Sequence, residues 1–146
     1  MATGVEVNGI KEGKWFFYYE NSEVYKEINF LNGVEDGECK MWHENGNPYL
    51  VQYKKNGQTT GIWKEYYENG RIKEVGEYIN GEYFPYDFWN EEGQQLLKEG
   101  TGKKIEKFGH LELDIVEQYY SEGRFIREEK VSSAQYGSFN PQSKKE

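Results

Sequence analysis

The chain has little of several things that define common protein classes. Its 146 residues include one cysteine, two histidines and three prolines. The single cysteine, Cys39, excludes an internal disulfide and a cysteine-ligated zinc site. No apolar run approaches the roughly 20 residues of a membrane helix, and residues 1–13 have no hydrophobic signal core. We therefore expect a cytoplasmic protein without a transmembrane segment.

The motifs of common catalytic centres are missing as well. The sequence has no nucleophile elbow, P-loop or dinucleotide-binding glycine motif. Cys39 and His43 would lie about 13 Å apart along one strand, too far for a nucleophilic pair. His110 begins a His-x-Glu triplet, but the Pro-Cys-x-x-Cys partner of zinc deaminases is absent. Paired acids such as Glu91 and Glu92 lack the cleft-forming insertion of a glycosidase. We expect no enzyme activity, no metal and no cofactor.

Aromatic residues and glycine are abundant instead. Thirteen Tyr, eight Phe and four Trp accompany 17 glycines. Disordered chains are poor in aromatics, so an ordered protein with many tight turns is expected. The net charge of −8 disfavours nucleic acid and anionic lipid and would attract a basic protein partner, although solubility alone also explains such a charge.

Two turn motifs recur every 24 residues. Glu44-Asn45-Gly46 recurs as Glu68-Asn69-Gly70, with related turns 24 residues before the first and 23 after the second. Asn32-Gly33 recurs at Asn56-Gly57 and Asn80-Gly81. Asn-Gly favours the type I′ hairpin turn, because both central residues need positive φ. Each repeat is therefore predicted to be one β-hairpin, joined by a turn to the next.

This pattern predicts an all-β fold of tandem β-hairpins in an elongated, twisted and curved antiparallel sheet. The repeat domain is predicted over residues 1–131, with a fifth, irregular hairpin turning at Gly109-His110. A tail with little regular structure is predicted over 132–146, where Ser, Gln and Lys dominate. The predicted units are residues 13–36, 37–60, 61–84, 85–102 and 103–131.

Aromatic side chains fall into aligned columns when the units are counted back from the first turn glycine. The column four places before it is aromatic in every unit, while those seven and three places before it are mostly aromatic. Alternation along a strand puts the last two columns on one face and the first on the other. One face must pack inward, and the other is a candidate partner-binding strip with a glutamate rim. The candidate residues are Trp15, Tyr19, Trp42, Trp63, Tyr66, Tyr67, Trp89, Tyr119, Glu65 and Glu68.

The third unit resembles a known family. The stretch 61–70 (GIWKEYYENG) followed by 77–81 (EYING) is similar to the variant MORN repeat, as is the segment 96–102 (LLKEGTG) that often follows such repeats. The second unit departs from the pattern at Cys39, where tryptophan is expected, and the first has Ser22 in place of the turn glycine. The resemblance implies an elongated sheet of successive hairpins. Many bacterial members are grouped as YwqK-type antitoxin or immunity proteins, which bind and neutralise a co-encoded toxin.

The function expected from these features is a non-catalytic protein-binding module. It would act as an antitoxin that occludes a toxin with a basic surface, through the aromatic and acid-rimmed face. A structural or scaffolding repeat protein that self-associates through open sheet edges is the alternative. A membrane-associated MORN module is a third, disfavoured by the net charge. We expect a monomer or a weak homo-oligomer.

Overall fold

The computed structural model describes residues 1–108 and 114–131, and all regular structure in these ranges is β-strand. The strands form one antiparallel sheet in which each pairs with its neighbours in sequence, which confirms the predicted all-β hairpin fold. Twelve strands at a spacing of about 4.8 Å give a sheet about 50 Å across, so the sheet is elongated. The predicted Gly109-His110 turn and the predicted tail over 132–146 lie outside the described residues. The strands are Ala2–Val7 (β1), Ile10–Tyr18 (β2), Val24–Leu31 (β3), Val34–Trp42 (β4), Pro48–Lys55 (β5), Gln58–Tyr66 (β6), Ile72–Ile79 (β7), Glu82–Trp89 (β8), Gln95–Lys98 (β9), Thr101–Phe108 (β10), Asp114–Ser121 (β11) and Arg124–Val131 (β12).

The two turn motifs form two different turns at opposite edges of the sheet. Asn32 and Gly33 both have positive φ, at 52° and 79°, as the type I′ turn requires. In the Glu-Asn-Gly turn only the glycine has positive φ, as at Gly46. There the Gly46 amide donates to the His43 carbonyl at 2.9 Å, which closes a type I turn followed by a left-handed residue. Ser22 keeps this geometry with φ of 71°, so the first unit forms the same turn without glycine.

Each of the first three repeats carries two β-bulges. In the first bulge, three consecutive residues of one strand face a single residue of the neighbouring strand, and one of the three is a glycine with positive φ. In the second, one additional residue enters the strand that follows the Glu-Asn-Gly turn. Bulges bend strands and increase twist, so their regular recurrence curves the sheet evenly. The bulge glycines are Gly13, Gly37 and Gly61, and the additional residues are Tyr25, Tyr49 and Lys73, followed by Leu96 after the fourth turn.

Hydrogen bonds connect the turns of successive hairpins at both edges. At the Asn-Gly edge, the amide of Asn32 donates to the Glu12 carboxylate at 2.8 Å. At the other edge, the side-chain amides of Asn45 and Asn47 both donate to the Glu68 carbonyl at 2.8 Å. These bonds join residues 20–23 positions apart, about one repeat. They fix the distance between neighbouring hairpins.

The last three strands leave the regular register and form what we call the C-terminal arm (β10–β12). Strand β10 pairs with β9 at Thr101 and Gly102 and then continues with β11. Gly102 has φ of 133°, and a Cβ there would lie 2.3 Å from the Leu96 carbonyl oxygen, so only glycine fits this bend. The bend carries Lys104 to Glu74 of β7, at 2.6 Å between Nζ and Oε1. The arm therefore packs back on the repeats.

The core divides into two clusters of buried side chains. One lies between β2 and β4, and the other joins β8 and β9 to the arm. Because an open sheet of hairpins has no second layer, burial depends on large side chains bridging neighbouring strands and on the arm. The first cluster is Trp15, Ile28 and Cys39; the second is Phe88, Leu97, Ile105 and Ile115.

Candidate functional site

The column seven places before the turn glycine is core, and we call it the core column. Trp15 is only 7% exposed; its ring covers Gly4, and its Nε1 donates to the Val5 carbonyl at 3.1 Å. Trp63 is half-buried and packs on the ring of Tyr83 at 5.5 Å. Trp15 was a candidate for partner contact, and the structure uses the face of its ring to cover a neighbouring strand.

The column three places before the glycine connects one repeat to the next, and we call it the staple column. The Tyr19 hydroxyl donates to the carbonyl of Trp42 at 2.7 Å, and that of Tyr67 to the carbonyl of Trp89 at 2.7 Å. His43 takes the same position, with Nε2 3.1 Å from the Tyr66 carbonyl. Tyr19 and Tyr67 were candidates for partner contact, and the structure assigns their hydroxyls a structural role.

The column four places before the glycine lies on the opposite face, and we call it the outer column. It consists of the last residue of β2, β4, β6 and β8, each of which is half-buried. Ring contacts join Trp15, Phe17 and Tyr25 on the other face, so alternation puts Tyr18, which directly follows Phe17, on this one. Successive rings are two strands apart, roughly 9.5–10 Å. The members in the regular repeats are Tyr18, Trp42, Tyr66 and Trp89.

Tyr119, the fifth member predicted for this column, lies in the C-terminal arm. Its ring is covered by the guanidinium of Arg127 at 4.0 Å, and its hydroxyl donates to Glu117 at 2.7 Å. Glu117 also pairs with Lys103 at 2.6 Å. Tyr119 is thus held in a local charged cluster outside the regular repeats.

The outer column ends directly at an acidic edge of the sheet. The four turns of this edge that the structure describes, residues 19–23, 43–47, 67–71 and 90–94, contain six glutamates and one arginine. Arg71 is directed along the edge, with Nη1 3.2 Å from the Glu92 carbonyl. Glu68, a candidate rim residue, lies in this edge, and its side chain is exposed. The glutamates are Glu20, Glu23, Glu44, Glu68, Glu91 and Glu92.

Glu65 does not belong to this rim. It pairs with Lys73 at 3.0 Å and faces Glu74 across the β6–β7 pair, so it lies opposite the outer column. The reason is the strict alternation of side chains: Glu65 precedes Tyr66 by one residue and therefore points to the other face. Glu65 therefore shares the face of Trp63 and Tyr67, and its prediction as a partner-contact residue applies to that face.

The opposite edge has a different character. Its six turns, from 7–10 to 121–124, contain three acidic and three basic residues. Aliphatic side chains flank the first two turns, with Val7 53% and Leu31 53% exposed. Negative charge is therefore concentrated at the edge where the outer column ends, and balanced at the other.

A small cleft lies beside the fourth acidic turn. It encloses about 210 Å³ between Asn90, Glu91 and the side chains of Phe88 and Ile105. Lys107 of the arm reaches it and pairs with Glu91 at 3.0 Å. The cleft makes this end of the acidic edge concave.

Groups with reactive potential are engaged in the structure. Burial raises the pKa of the Cys39 thiol, which disfavours the reactive thiolate. Among residues 1–108 and 114–131, no three His, Cys, Asp or Glu side chains are grouped to hold a metal ion. His110 lies outside the described residues. Within the same ranges, no helix has the length and apolarity to span a membrane.

Comparison with known proteins identifies the repeats. Three segments, residues 11–32, 35–56 and 59–80, match the family described as MORN repeat variant. Each match begins two residues before one of the first three units inferred from the sequence. No curated protein matches the chain.

Proposed function

We propose that these MORN-variant repeats form a non-catalytic protein-binding module, an antitoxin or immunity protein that neutralises a bacterial toxin in the cytoplasm. The observation that carries the proposal is the outer column ending at an acidic edge. Aromatic side chains supply large contact area at small entropic cost, and glutamates around them attract a basic partner and bias its orientation. Neutralisation is by occlusion: the toxin's basic surface is covered.

The arrangement of the outer column supports contact with a partner surface whose basic side chains also lie in a row. Trp42, Tyr66 and Trp89 each directly precede a glutamate-bearing turn, so aromatic and acidic groups repeat together at roughly 10 Å. The staple column and the turn-to-turn hydrogen bonds hold these rings in a fixed row. A preorganised row loses little side-chain entropy when it binds.

The proposal is tested with the product of the adjacent gene. The two proteins are co-expressed, and both complex formation and protection of growth are measured. The variant Trp42→Ala/Tyr66→Ala is expected to lose the complex and the protection. Phe125→Ala is the matched control, because Phe125 is 54% exposed and follows the 121–124 turn, at the edge opposite the acidic turns.

Charge-reversal variants test the contribution of the acidic edge to binding separately from that of the aromatic row. Glu44→Lys/Glu68→Lys is expected to slow association and to remove most of its dependence on salt, because two acids of the edge become bases. Glu82→Lys at the opposite edge serves as the control and is expected to change neither. Absence of any complex between the co-expressed proteins, or equal loss in the Phe125 control, would sink the proposal.

A further inference from the structure

Strand β1 is the first strand of the sheet, so it has a neighbouring strand on one side and solvent on the other. It is an edge strand, which is distinct from the two edges formed by the turns. All six of its residues are exposed. The amide of Tyr18 donates to the carbonyl of Met1 at 3.0 Å, and Val7 and Ile10 flank a type I′ turn, so the odd-numbered residues of β1 bond to β2. The amides and carbonyls of Ala2, Gly4 and Glu6 consequently point outward.

The two edge strands, β1 and β12, differ in how they resist pairing with a strand of another chain. Strand β12, at the other edge, carries five charged residues among eight. Strand β1 carries one, Glu6, and has neither lysine nor proline. Charged side chains are the usual means of keeping an edge strand from pairing with another chain. The additional residues of the bulge at this end lie in β2 between Glu12 and Phe16, so β1 itself keeps an even pleat.

We propose that β1 pairs in antiparallel orientation with β1 of a second copy of this chain, with Val5 opposite the partner's Val5. In this register Thr3 faces the partner's Val7, and Gly4 faces the partner's Glu6. The outward amides and carbonyls of Gly4 and Glu6 then pair across the two-fold axis. This inference does not depend on the proposed function.

The choice of a second copy follows from self-complementarity. On one face of the new pair, Thr3, Val5 and Val7 meet only β-branched residues, which favour cross-strand contact. On the other, each Glu6 faces the small Gly4, so the two carboxylates are not directly opposite. No like charges are opposed in any pair of this register. An interface of this kind is isologous and closes at two copies.

The net charge of the chain opposes dimerisation and makes the dimer affinity depend on salt. Each copy carries −8, so the copies repel one another at low ionic strength. Screening weakens that repulsion, and dimerisation is therefore expected to strengthen as salt is added. The product is a continuous sheet with two outer columns.

The test combines mass measurement with residue-specific hydrogen exchange on the wild-type chain. Sedimentation equilibrium from about 5 to 500 µM is expected to show a mass rising from 17.3 kDa towards twice that value. Over the same range, exchange measured by NMR at the amides of Gly4 and Glu6 is expected to slow at least tenfold. The amides of Thr3 and Val7 are internal controls, because they bond to β2 in the monomer as well.

Two matched variants locate the interface. Val5→Lys places two lysines opposite one another in the dimer, while in the monomer the new lysine faces Glu12 across the β1–β2 pair, so the fold is retained. Ile126→Lys is the control on β12, at similar exposure (57% against 63%). Val5→Lys is expected to stay monomeric and Ile126→Lys to dimerise as the wild type does. A wild-type chain that is monomeric throughout overturns the proposal, as does a dimer that Ile126→Lys abolishes or one in which Gly4 and Glu6 exchange at the monomer rate.

Discussion

The buried ion pair between Glu74 and Lys104 is expected to hold the C-terminal arm on the repeats. Glu74 is 2% exposed and Lys104 7%, with 2.6 Å between Oε1 and Nζ. The Tyr83 hydroxyl donates to the same carboxylate at 2.7 Å. Burial raises the pKa of the Glu74 carboxyl, against the opposing effects of Lys104 and Tyr83. The position 24 residues earlier is Leu50, so the repeat geometry accepts leucine here.

The expected magnitudes follow from removing one partner or all of them. Glu74→Leu leaves a buried ammonium without its main partner, which costs about 3–5 kcal/mol in such pairs. The low end applies, because Lys104 is also 3.4 Å from Glu106. Replacing the whole cluster in Glu74→Leu/Lys104→Met/Tyr83→Phe leaves no buried polar group in need of a partner, so most of that loss is recovered.

The assay is urea unfolding at pH 7 of the wild type, the single variants and the triple variant, with equal m-values as the check on two-state behaviour. The triple variant is expected to be more stable than Glu74→Leu by about 2 kcal/mol or more. A double-mutant cycle on Glu74 and Lys104 gives their coupling directly. A coupling energy below about 0.5 kcal/mol would refute the reasoning. It would mean that each charged group is solvated when the other is removed, and therefore does not depend on its partner.

Three further results are expected. Tyr67→Phe removes the hydrogen bond to the Trp89 carbonyl and is expected to cost about 0.5–1.5 kcal/mol in urea unfolding, and an unchanged midpoint contradicts the staple role. Cys39, which has no solvent exposure, is expected to react with a thiol reagent only at the rate of opening, so denaturant should accelerate labelling; fast labelling of the native chain contradicts its burial. Hydrogen bonds from Lys55 and from the backbone amide of Asn56 hold the pKa of Asp36 below its usual range. The folded chain therefore binds fewer protons here than the unfolded chain. The stabilisation of the folded state by this carboxylate is present above the unfolded pKa and is lost as pH falls through the folded pKa. Asp36→Asn is therefore expected to reduce the fall of the urea midpoint between pH 6 and 3, and an unaltered slope contradicts that sign.

The sequence was sufficient for the fold because the determinants of a hairpin repeat are local. Asn32-Gly33 requires positive φ at adjacent residues, and both residues have it. The bulge glycines Gly13, Gly37 and Gly61 follow the same 24-residue step, but that spacing does not indicate what they do. Their role needed the register, since a bulge is defined by the opposite strand.

The candidate site was less predictable because burial depends on contacts between repeats. Trp15 and Trp63 occupy the same column, yet Trp15 is buried and Trp63 only half-buried, because Gly4 gives the ring of Trp15 a place to pack. The staple role of Tyr67 depends on a carbonyl 22 residues away, which no local pattern marks. Strict alternation, applied residue by residue, would have put Glu65 on the face away from Tyr66. The Glu74–Lys104 pair depends on the bend at Gly102, and sequence indicated only that the register ends there.

The most direct test of the account is a hydrogen-exchange footprint of the chain with and without the product of the adjacent gene. We predict that added protection falls at the acidic edge, in the turns 43–47, 67–71 and 90–94, and at the ends of the strands that carry Trp42, Tyr66 and Trp89. The Asn-Gly turns at 31–34 and 79–82 are predicted to exchange as in the free chain. Protection confined to those Asn-Gly turns, or no protection anywhere at saturating partner, would contradict the claim that this edge is the binding surface.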